Sequence, residues 1–188
     1  VRDISARKVA EQELRESEER YALAASAAND GLWDWDLTGK DVYYSPRWKS
    51  MLGYKDGEIS NSTHEWFSRV HPEDLADFNA SIGKHIQGET PHFESEHRML
   101  HRDGSYRWML TRGLSMRDPE GSAYRMAGSQ TDITERKLAS DQLVYDAFHD
   151  GLTRLPNRAL FTDRLERALE RAKRREDYTL AVLILDLD

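Results

Sequence analysis

The alternation of apolar and polar positions predicts a half-buried strand near the start of the central region. In the stretch GLWDWDL, three apolar residues alternate with two aspartates: Trp33, Asp34, Trp35, Asp36 and Leu37. A period of two places the two sets of side chains on opposite faces of a strand. The following TGK predicts a turn, and DVYYS predicts a second strand.

Helices and further strands follow this pair. Pro46 lies in the first turn of a short predicted helix that Gly53 ends. Pro72 begins a longer helix, whose apolar residues fall three or four apart on one face: Leu75, Phe78, Ile82 and Ile86. Three more strands are predicted in HFESEHRML, SYRWMLTRGLSM and AYRMAGSQTD, joined by the hairpin turns HRDGS and RDPEG. This order predicts an α+β domain with an antiparallel sheet.

One short motif occurs twice in the chain. DISARKVAEQEL begins at Asp3, and DITERKLASDQL begins at Asp132. Each copy places an aspartate and a hydroxyl residue, Ser5 or Thr134, directly before good helix formers. Such side chains accept hydrogen bonds from the free N–H groups of a helix start. The repeat therefore predicts two helices that begin in the same way.

Several motifs in the central region resemble those of PAS domains with their C-terminal PAC half. They are GLWDWD, W-x-x-M-L-G-Y, V-H-P-E-D and H-R-D-G-S-Y-R-W, followed by G-S-x-T-D-I-T-E-R-K. The resemblance implies a PAS fold, a five-stranded antiparallel sheet with helices on one face, over residues 21–133. Residues 1–20 then resemble the connecting helix of an upstream PAS/PAC unit, and residues 134–149 a signalling helix linker.

By the same resemblance, the repeated motif is a signal-transfer motif formed by Asp132 and Thr134, with Asp3 and Ser5 in the first copy. Two cyclase domains must face each other in the family's reaction, so the resemblance implies a homodimer formed through the PAS domain and the linker helices. Leu138 lies seven residues before Tyr145, which gives the linker a short apolar stripe suited to pairing.

A ligand pocket is predicted from four residues of this domain. Trp35, Trp48 and Trp108 are candidates to line it, and alternation places His97 on the same strand face as Phe93. In a haem-binding PAS domain such a histidine is the axial ligand, and an aromatic pocket also suits flavin or a small metabolite. Tryptophans of this kind more often form the core, and a lone histidine on an apolar face is usually hydrogen-bonded in place, so we expect a domain without haem or flavin.

The pattern changes after Lys137. Gly151 and Pro156 interrupt a helix, and a new amphipathic helix is predicted to begin near Asn157. The continuous apolar run of YTLAVLILDLD predicts a central strand covered on both faces and ended by two aspartates, Asp186 and Asp188. Carboxylates at a strand end suit Mg²⁺ chemistry in an α/β sheet.

The stretch DGLTRLPNRALFTDRL, followed by LAVLILDLD, resembles the start of the diguanylate cyclase, or GGDEF, domain family. Residues 150–188 would then be its N-terminal fragment, with Asp186 and the backbone carbonyl of Leu187 holding Mg²⁺ for the coupling of two GTP molecules. The family's remaining site residues would follow Asp188. We therefore expect this fragment to be inactive and the parent to make cyclic di-GMP, alone or with a further phosphodiesterase domain.

Composition and charge narrow the choice of partners. The chain has 34 acidic and 27 basic residues, a formal charge of −7, which disfavours a nucleic-acid partner. It has no cysteine, which excludes disulfides, thiolate metal sites and flavin photochemistry through a cysteinyl adduct. The longest apolar run is too short to span a bilayer, so we expect a cytoplasmic fragment without membrane contact. This expectation applies to the fragment and leaves open a membrane anchor elsewhere in the parent protein.

Two other functional classes compete with the cyclase. His149 follows the linker helix, as the phospho-accepting histidine of a sensor histidine kinase does, but the next proline lies seven residues later rather than five. A purely structural PAS domain that only dimerises is the second alternative.

Overall fold

The computed structural model describes residues 12, 27, 29–39, 41–174 and 178–185. The chain divides into two compact units, Val1–Glu135 and Arg136–Asp188. The finer limits at residues 20, 133 and 149 stay predictions.

Five antiparallel strands form one sheet in the first unit. They are β1 (Gly31–Asp36), β2 (Val42–Tyr44), β3 (Phe93–Leu100), β4 (Tyr106–Arg117) and β5 (Ala123–Asp132). They lie in the order β2-β1-β5-β4-β3, so the last strand pairs with the first. The two predicted hairpins are present, with Gly104 and Gly121 at φ +86° and +88° in their turns. The predicted α+β fold is therefore confirmed.

Three helices pack against this sheet: α1 (Pro46–Met51), α2 (Thr63–Phe67) and α3 (Pro72–Ile86). The side chain of Ser45 accepts a hydrogen bond from the Trp48 N–H, and proline occupies the first turn of α1 and α3. Such residues satisfy or remove the free N–H groups at a helix start. Helix α2 was not predicted, because five residues are too few to show a helical period.

The sheet and its helices enclose one hydrophobic core, which depends on a close approach of two strands. Gly113 of β4 lies opposite Gly128 of β5, and the ring of Trp33 covers both. A methyl group at position 128 would lie 1.9 Å from the carbonyl oxygen of Arg112 and 2.6 Å from the Trp33 ring. Only glycine leaves room for the indole here.

The second unit contains most of helix α4 (Thr134–Phe148) and all of α5 (Arg158–Arg174). Residues 178–185 have no regular secondary structure, and Leu183, Ile184 and Leu185 are 81%, 90% and 86% exposed. The predicted central strand is therefore wrong for residues 180–185. A strand needs a neighbour to pair with its backbone groups, and the described part of this unit offers none.

None of the helices within the described residues is both long and apolar enough to cross a membrane.

Candidate functional site

The helix-covered side of the sheet carries a cluster of aromatic side chains. Trp33 lies 4.9 Å from Trp66 between ring centroids, and Trp48 stacks on Tyr44 at 4.0 Å. All four are at most 1% exposed. Phe78 joins them at 5.7 Å from Trp66. These offset and edge-on contacts bind the two layers of the domain together.

Buried polar side chains lie beside this cluster, on the inner strands β4 and β5 and on the edge strand β3. Thr111 donates a hydrogen bond of 3.1 Å to the side-chain carbonyl of Gln130, and both residues are fully buried. His97 is 1% exposed and lies 4.3 Å from the Phe78 ring. Burial lowers the pKa of His97 to about 4, against the opposing charge of Asp74. The imidazole is therefore neutral at neutral pH.

Trp108 lies on the other face of the sheet. Its register partner is Arg98, whereas the neighbouring pair, His97 and Met109, points into the core. The Arg98 guanidinium lies 5.5 Å from the Trp108 ring and forms a 2.6 Å ion pair with Asp74. This pair, with the backbone N–H of Arg98, lowers the pKa of Asp74 to about 2.

The structure therefore brings three of the four predicted pocket residues to one side of the sheet. Trp48 and His97 are buried there, and Trp35 lies at the margin against Phe67 at 5.9 Å. Trp108 lies on the opposite face of the sheet, although it lines the same cleft of about 290 Å³ beside α3 and β3 as His97 does. Sequence reasoning left out Trp33, although it shares the two-residue alternation of Trp35, and Gln130, for which the pattern carries no signal.

A planar cofactor does not fit among these side chains as they stand. The rings of the cluster lie 4.0 to 6.4 Å apart and occupy the volume that a haem or a flavin ring would need. His97 packs directly on Phe78, which leaves no space for an iron porphyrin between them. We therefore assign the cluster to the hydrophobic core.

The end of the sheet continues directly into helix α4. The Ile133 N–H donates to the Trp108 carbonyl at 2.8 Å, and the Trp108 N–H donates to the Thr134 hydroxyl at 2.9 Å. The Asp132 carboxylate accepts from the Thr134 N–H at 2.9 Å. Residues 133 and 134, at the start of α4, are thus bonded to Trp108 of β4 through both its carbonyl and its N–H group. Asp3 and Ser5, the first copy of this motif, lie outside the described residues.

In the second unit, side chains fold the connection between α4 and α5 into a defined loop. The Asp150 carboxylate accepts hydrogen bonds from the N–H and hydroxyl of Thr153 at 2.9 and 2.8 Å. Asn157 accepts at the start of α5, from the Ala159 N–H at 2.9 Å, and donates to the Ala147 carbonyl at 2.9 Å. Residues of the stretch that predicted a helix break, Asp150 and Asn157, therefore form the hydrogen bonds that hold this loop.

His149 belongs to this loop. Its ring stacks on Tyr145 with 3.8 Å between centroids, and its Nδ1 lies 2.9 Å from the Tyr145 carbonyl oxygen. A histidine held in this way has a packing role, which argues against the phospho-acceptor of a kinase.

The predicted metal ligands, Asp186 and Leu187, lie outside the described residues. Within the described part of the chain, no three carboxylate or imidazole side chains come together in a way that could hold a metal ion. The chemistry of the predicted donors, a carboxylate and a carbonyl oxygen, suits Mg²⁺.

Comparison with known proteins assigns both units. The profile of the PAS fold family matches residues 41–130, and that of the diguanylate cyclase GGDEF domain matches residues 147–188. A sensory box histidine kinase/response regulator from Burkholderia thailandensis has a solved structure that is 31% identical, with a TM-score of 0.60. The match covers 79% of this chain and 98% of that one. The chain belongs to the PAS family and continues into a GGDEF domain.

Two further relatives connect this PAS–GGDEF chain with cyclases. The solved N-terminal domain of a diguanylate cyclase with PAS/PAC sensor from Marinobacter aquaeolei is 27% identical, with a TM-score of 0.51, covering 57% of this chain and 98% of that one. The bifunctional diguanylate cyclase/cyclic di-GMP phosphodiesterase MucR of Pseudomonas aeruginosa is 52% identical over 55 residues, 29% of this chain and 8% of MucR.

The PAS–GGDEF chain is short beside its curated relatives. It matches two of them along 100% and 86% of its own length but spans only 23% and 19% of theirs.

Proposed function

We propose that this chain is the sensory and signal-transmitting part of a protein that makes cyclic di-GMP from two molecules of GTP. The observation that carries the proposal is the direct succession of a PAS sheet, helix α4 and a segment matching the GGDEF family at residues 147–188. The PAS domain senses, α4 transmits, and the completed GGDEF domain performs the reaction. GTP places this activity in the cytoplasm.

Mg²⁺ is the metal of the proposed reaction, held by Asp186 and the carbonyl oxygen of Leu187. When bound, it neutralises charge on the triphosphate and helps to align the attacking hydroxyl. The proposal rests on the family match and on the oxygen chemistry of these two groups.

A homodimer is the working form in this proposal, because two GTP molecules must be brought together by two domains. Helix α4 supports pairing, since it buries none of its residues within the described chain. Its large apolar side chains are 38% to 71% exposed: Leu138, Leu143, Val144, Tyr145 and Phe148. Pairing two such helices would cover these side chains.

The signal-transfer role of Asp132 and Thr134 is supported by their contacts. A displacement of β4 acts on α4 through the two hydrogen bonds between Trp108 and residues 133 and 134. Asp3 and Ser5 would act in the same way on the helix that follows an upstream PAS unit.

The test uses the protein extended until its GGDEF domain is complete. We expect it to convert GTP to cyclic di-GMP with Mg²⁺, as measured by chromatography, while residues 1–188 alone turn over no GTP. Asp186→Ala should abolish product formation, because it removes a metal ligand. The matched control is Asp163→Ala, which removes a partly exposed partner of Arg167. Full activity in the Asp186→Ala variant would show that the metal site was assigned to the wrong residue.

Two alternatives are distinguished by the same preparation. The Burkholderia relative is named a histidine kinase, so transfer of phosphate from ATP to His149 would replace the cyclase proposal. If removing residues 21–133 weakens dimerisation but leaves the cyclase activity of the remaining dimer unchanged, the PAS domain has only a structural role.

A further inference from the structure

The V-H-P-E-D motif, residues 70–74, fastens the N-terminus of α3 to the edge strand β3 at Arg98. The His71 N–H donates to the Arg98 carbonyl at 2.8 Å, and the Arg98 N–H donates to the Asp74 carboxylate at 2.8 Å. The Arg98 guanidinium donates to both oxygens of this carboxylate, at 2.9 and 2.6 Å, and to Glu73 at 2.9 Å. The start of α3 therefore uses both backbone groups of Arg98 and its side chain.

Trp108 of the neighbouring strand holds the start of α4 in a corresponding way. Its N–H donates to the Thr134 hydroxyl at 2.9 Å, and its carbonyl accepts from the Ile133 N–H at 2.8 Å. Trp108 is the register partner of Arg98. Each of these two residues directs both of its backbone groups away from the other. They therefore form the kind of antiparallel pair that has no hydrogen bonds between the partners and brings their side chains closest together.

The side chains of Arg98 and Trp108 thus form the link at this point of the sheet. The guanidinium lies 5.5 Å from the centre of the indole ring, within the range of a cation–π contact. The side chains of Arg98 and Asp74 are only 27% and 19% exposed, so solvent screens their ion pair less than a surface pair. The two-pronged bond to Asp74 also fixes the orientation of the guanidinium plane. A shift of the α3 N-terminus therefore moves the guanidinium across the indole.

We propose that Arg98 and Trp108 are positioning residues that couple the N-terminus of α3 to the first residue of α4. A displacement of α3 moves the Asp74 carboxylate and with it the Arg98 guanidinium. The guanidinium then moves Trp108, whose backbone holds Thr134. The use of this coupling to control a cyclase rests on the proposed function, whereas the coupling itself does not.

The experiment is a double-mutant cycle between Asp74→Asn and Thr134→Val in the 188-residue chain, measured by urea denaturation and tryptophan fluorescence. Asp74→Asn removes the charge that orients Arg98, and Thr134→Val removes the acceptor of the Trp108 N–H. The effects of independent sites on the unfolding equilibrium constant multiply to within about twofold, whereas those of coupled sites do not. We expect this cycle to depart from the product by about threefold or more.

The matched control is the cycle between Glu94→Gln and Thr134→Val. Glu94 forms the same kind of ion pair across β3 and β4, with Arg112 at 2.7 Å, but farther along the strands from Trp108. The two effects should therefore multiply to within about twofold.

Two variants of Trp108 test whether its ring carries the coupling. Trp108→Leu keeps the backbone bonds to residues 133 and 134 but loses the ring, so the departure in the first cycle should fall to within about twofold. Trp108→Phe keeps a ring face for Arg98 and should retain the departure. Simple multiplication in the first cycle, an equal departure in the control cycle, or an undiminished departure in Trp108→Leu would overturn the proposal.

If Trp108→Leu does not fold, hydrogen exchange of the Ile133 amide decides. Asp74→Asn should speed this exchange about threefold, whereas Glu94→Gln should leave it unchanged. Equal exchange rates in Asp74→Asn and the original chain would count against the coupling. These measurements need no cyclase activity, so failure here leaves the proposed function standing.

Discussion

Replacing Thr134 by valine should loosen the junction between the PAS sheet and helix α4. The Thr134 hydroxyl accepts the Trp108 N–H at 2.9 Å, and the adjacent Ile133 N–H donates to the Trp108 carbonyl at 2.8 Å. Valine has nearly the same shape but offers no acceptor. The variant therefore leaves a partly buried backbone N–H without a partner while disturbing the packing little.

The expected cost follows from that lost partner. An ordinary hydrogen bond contributes about 1 kcal/mol, and an unsatisfied buried donor costs about 1–3 kcal/mol. Because water partly reaches this site, we expect Thr134→Val to lower the free energy of unfolding by about 1–2 kcal/mol. Thr134→Ser keeps the hydroxyl and should stay within about 0.5 kcal/mol of the original.

Urea denaturation followed by tryptophan fluorescence measures this effect on the PAS unit alone. All five tryptophans lie within Val1–Glu135, so the second unit contributes no signal. Hydrogen exchange of the Trp108 amide reports the same bond directly and should be about tenfold faster in the valine variant. If the valine and serine variants are equally stable, or if Trp108 exchange does not change, the hydroxyl does not hold the junction.

Four further predictions follow. Gly128→Ala should lower the free energy of unfolding of the PAS unit, measured in urea, by about 2 kcal/mol or more, because the added methyl group collides with the backbone and the Trp33 indole. Gly83→Ala, which meets open space in α3, should raise it by about 0.5–1 kcal/mol. Equal effects of the two variants would contradict this prediction. The pKa of His97 falls from 6.5 in the unfolded chain to about 4 in the fold, so the unfolded state binds the proton first. Stability should therefore drop, by about 3 kcal/mol in all, as pH falls from about 6.5 to 4, and a His97→Phe variant with the same drop would refute the cause. The purified chain should be colourless, and a visible absorption band would show that a haem or flavin does enter the core. In the extended protein, inserting one residue after Lys137 rotates the rest of the chain by about 100° and should lock or abolish regulated cyclase activity. Inserting seven residues returns the chain to within about 20° of its original orientation and should preserve regulation. If activity instead declines smoothly with insertion length, α4 is a flexible connection and does not transmit rotation.

Local patterns in the sequence were enough to predict most elements of the PAS unit. Alternation predicted β1, the turn residues predicted the hairpins, and a period of three to four residues predicted α3, because each of these signals lies within a few neighbouring positions. The loop motif around Asp150 and Asn157 was likewise visible, since its hydrogen bonds span at most ten residues. The order of the strands was implied only through the resemblance to PAS domains.

Which face of a strand enters the core depended on the tertiary structure. In β4, alternation separates Trp108, Leu110, Leu114 and Met116 from Met109, Thr111 and Gly113, and the first set is the more apolar. Yet Leu114 and Met116 are 62% and 52% exposed, and only Leu110 of that set is buried, while the second set faces the helices.

The reason for this choice lies far away in the sequence. Trp33 needs the space above Gly113 and Gly128, and that contact fixes which side of β4 turns inward. The cleft beside His97 depends in the same way on where α3 meets the edge of β3. Residues 180–185 show the converse, because an apolar strand pattern forms no strand until a neighbouring strand is present to accept its backbone hydrogen bonds.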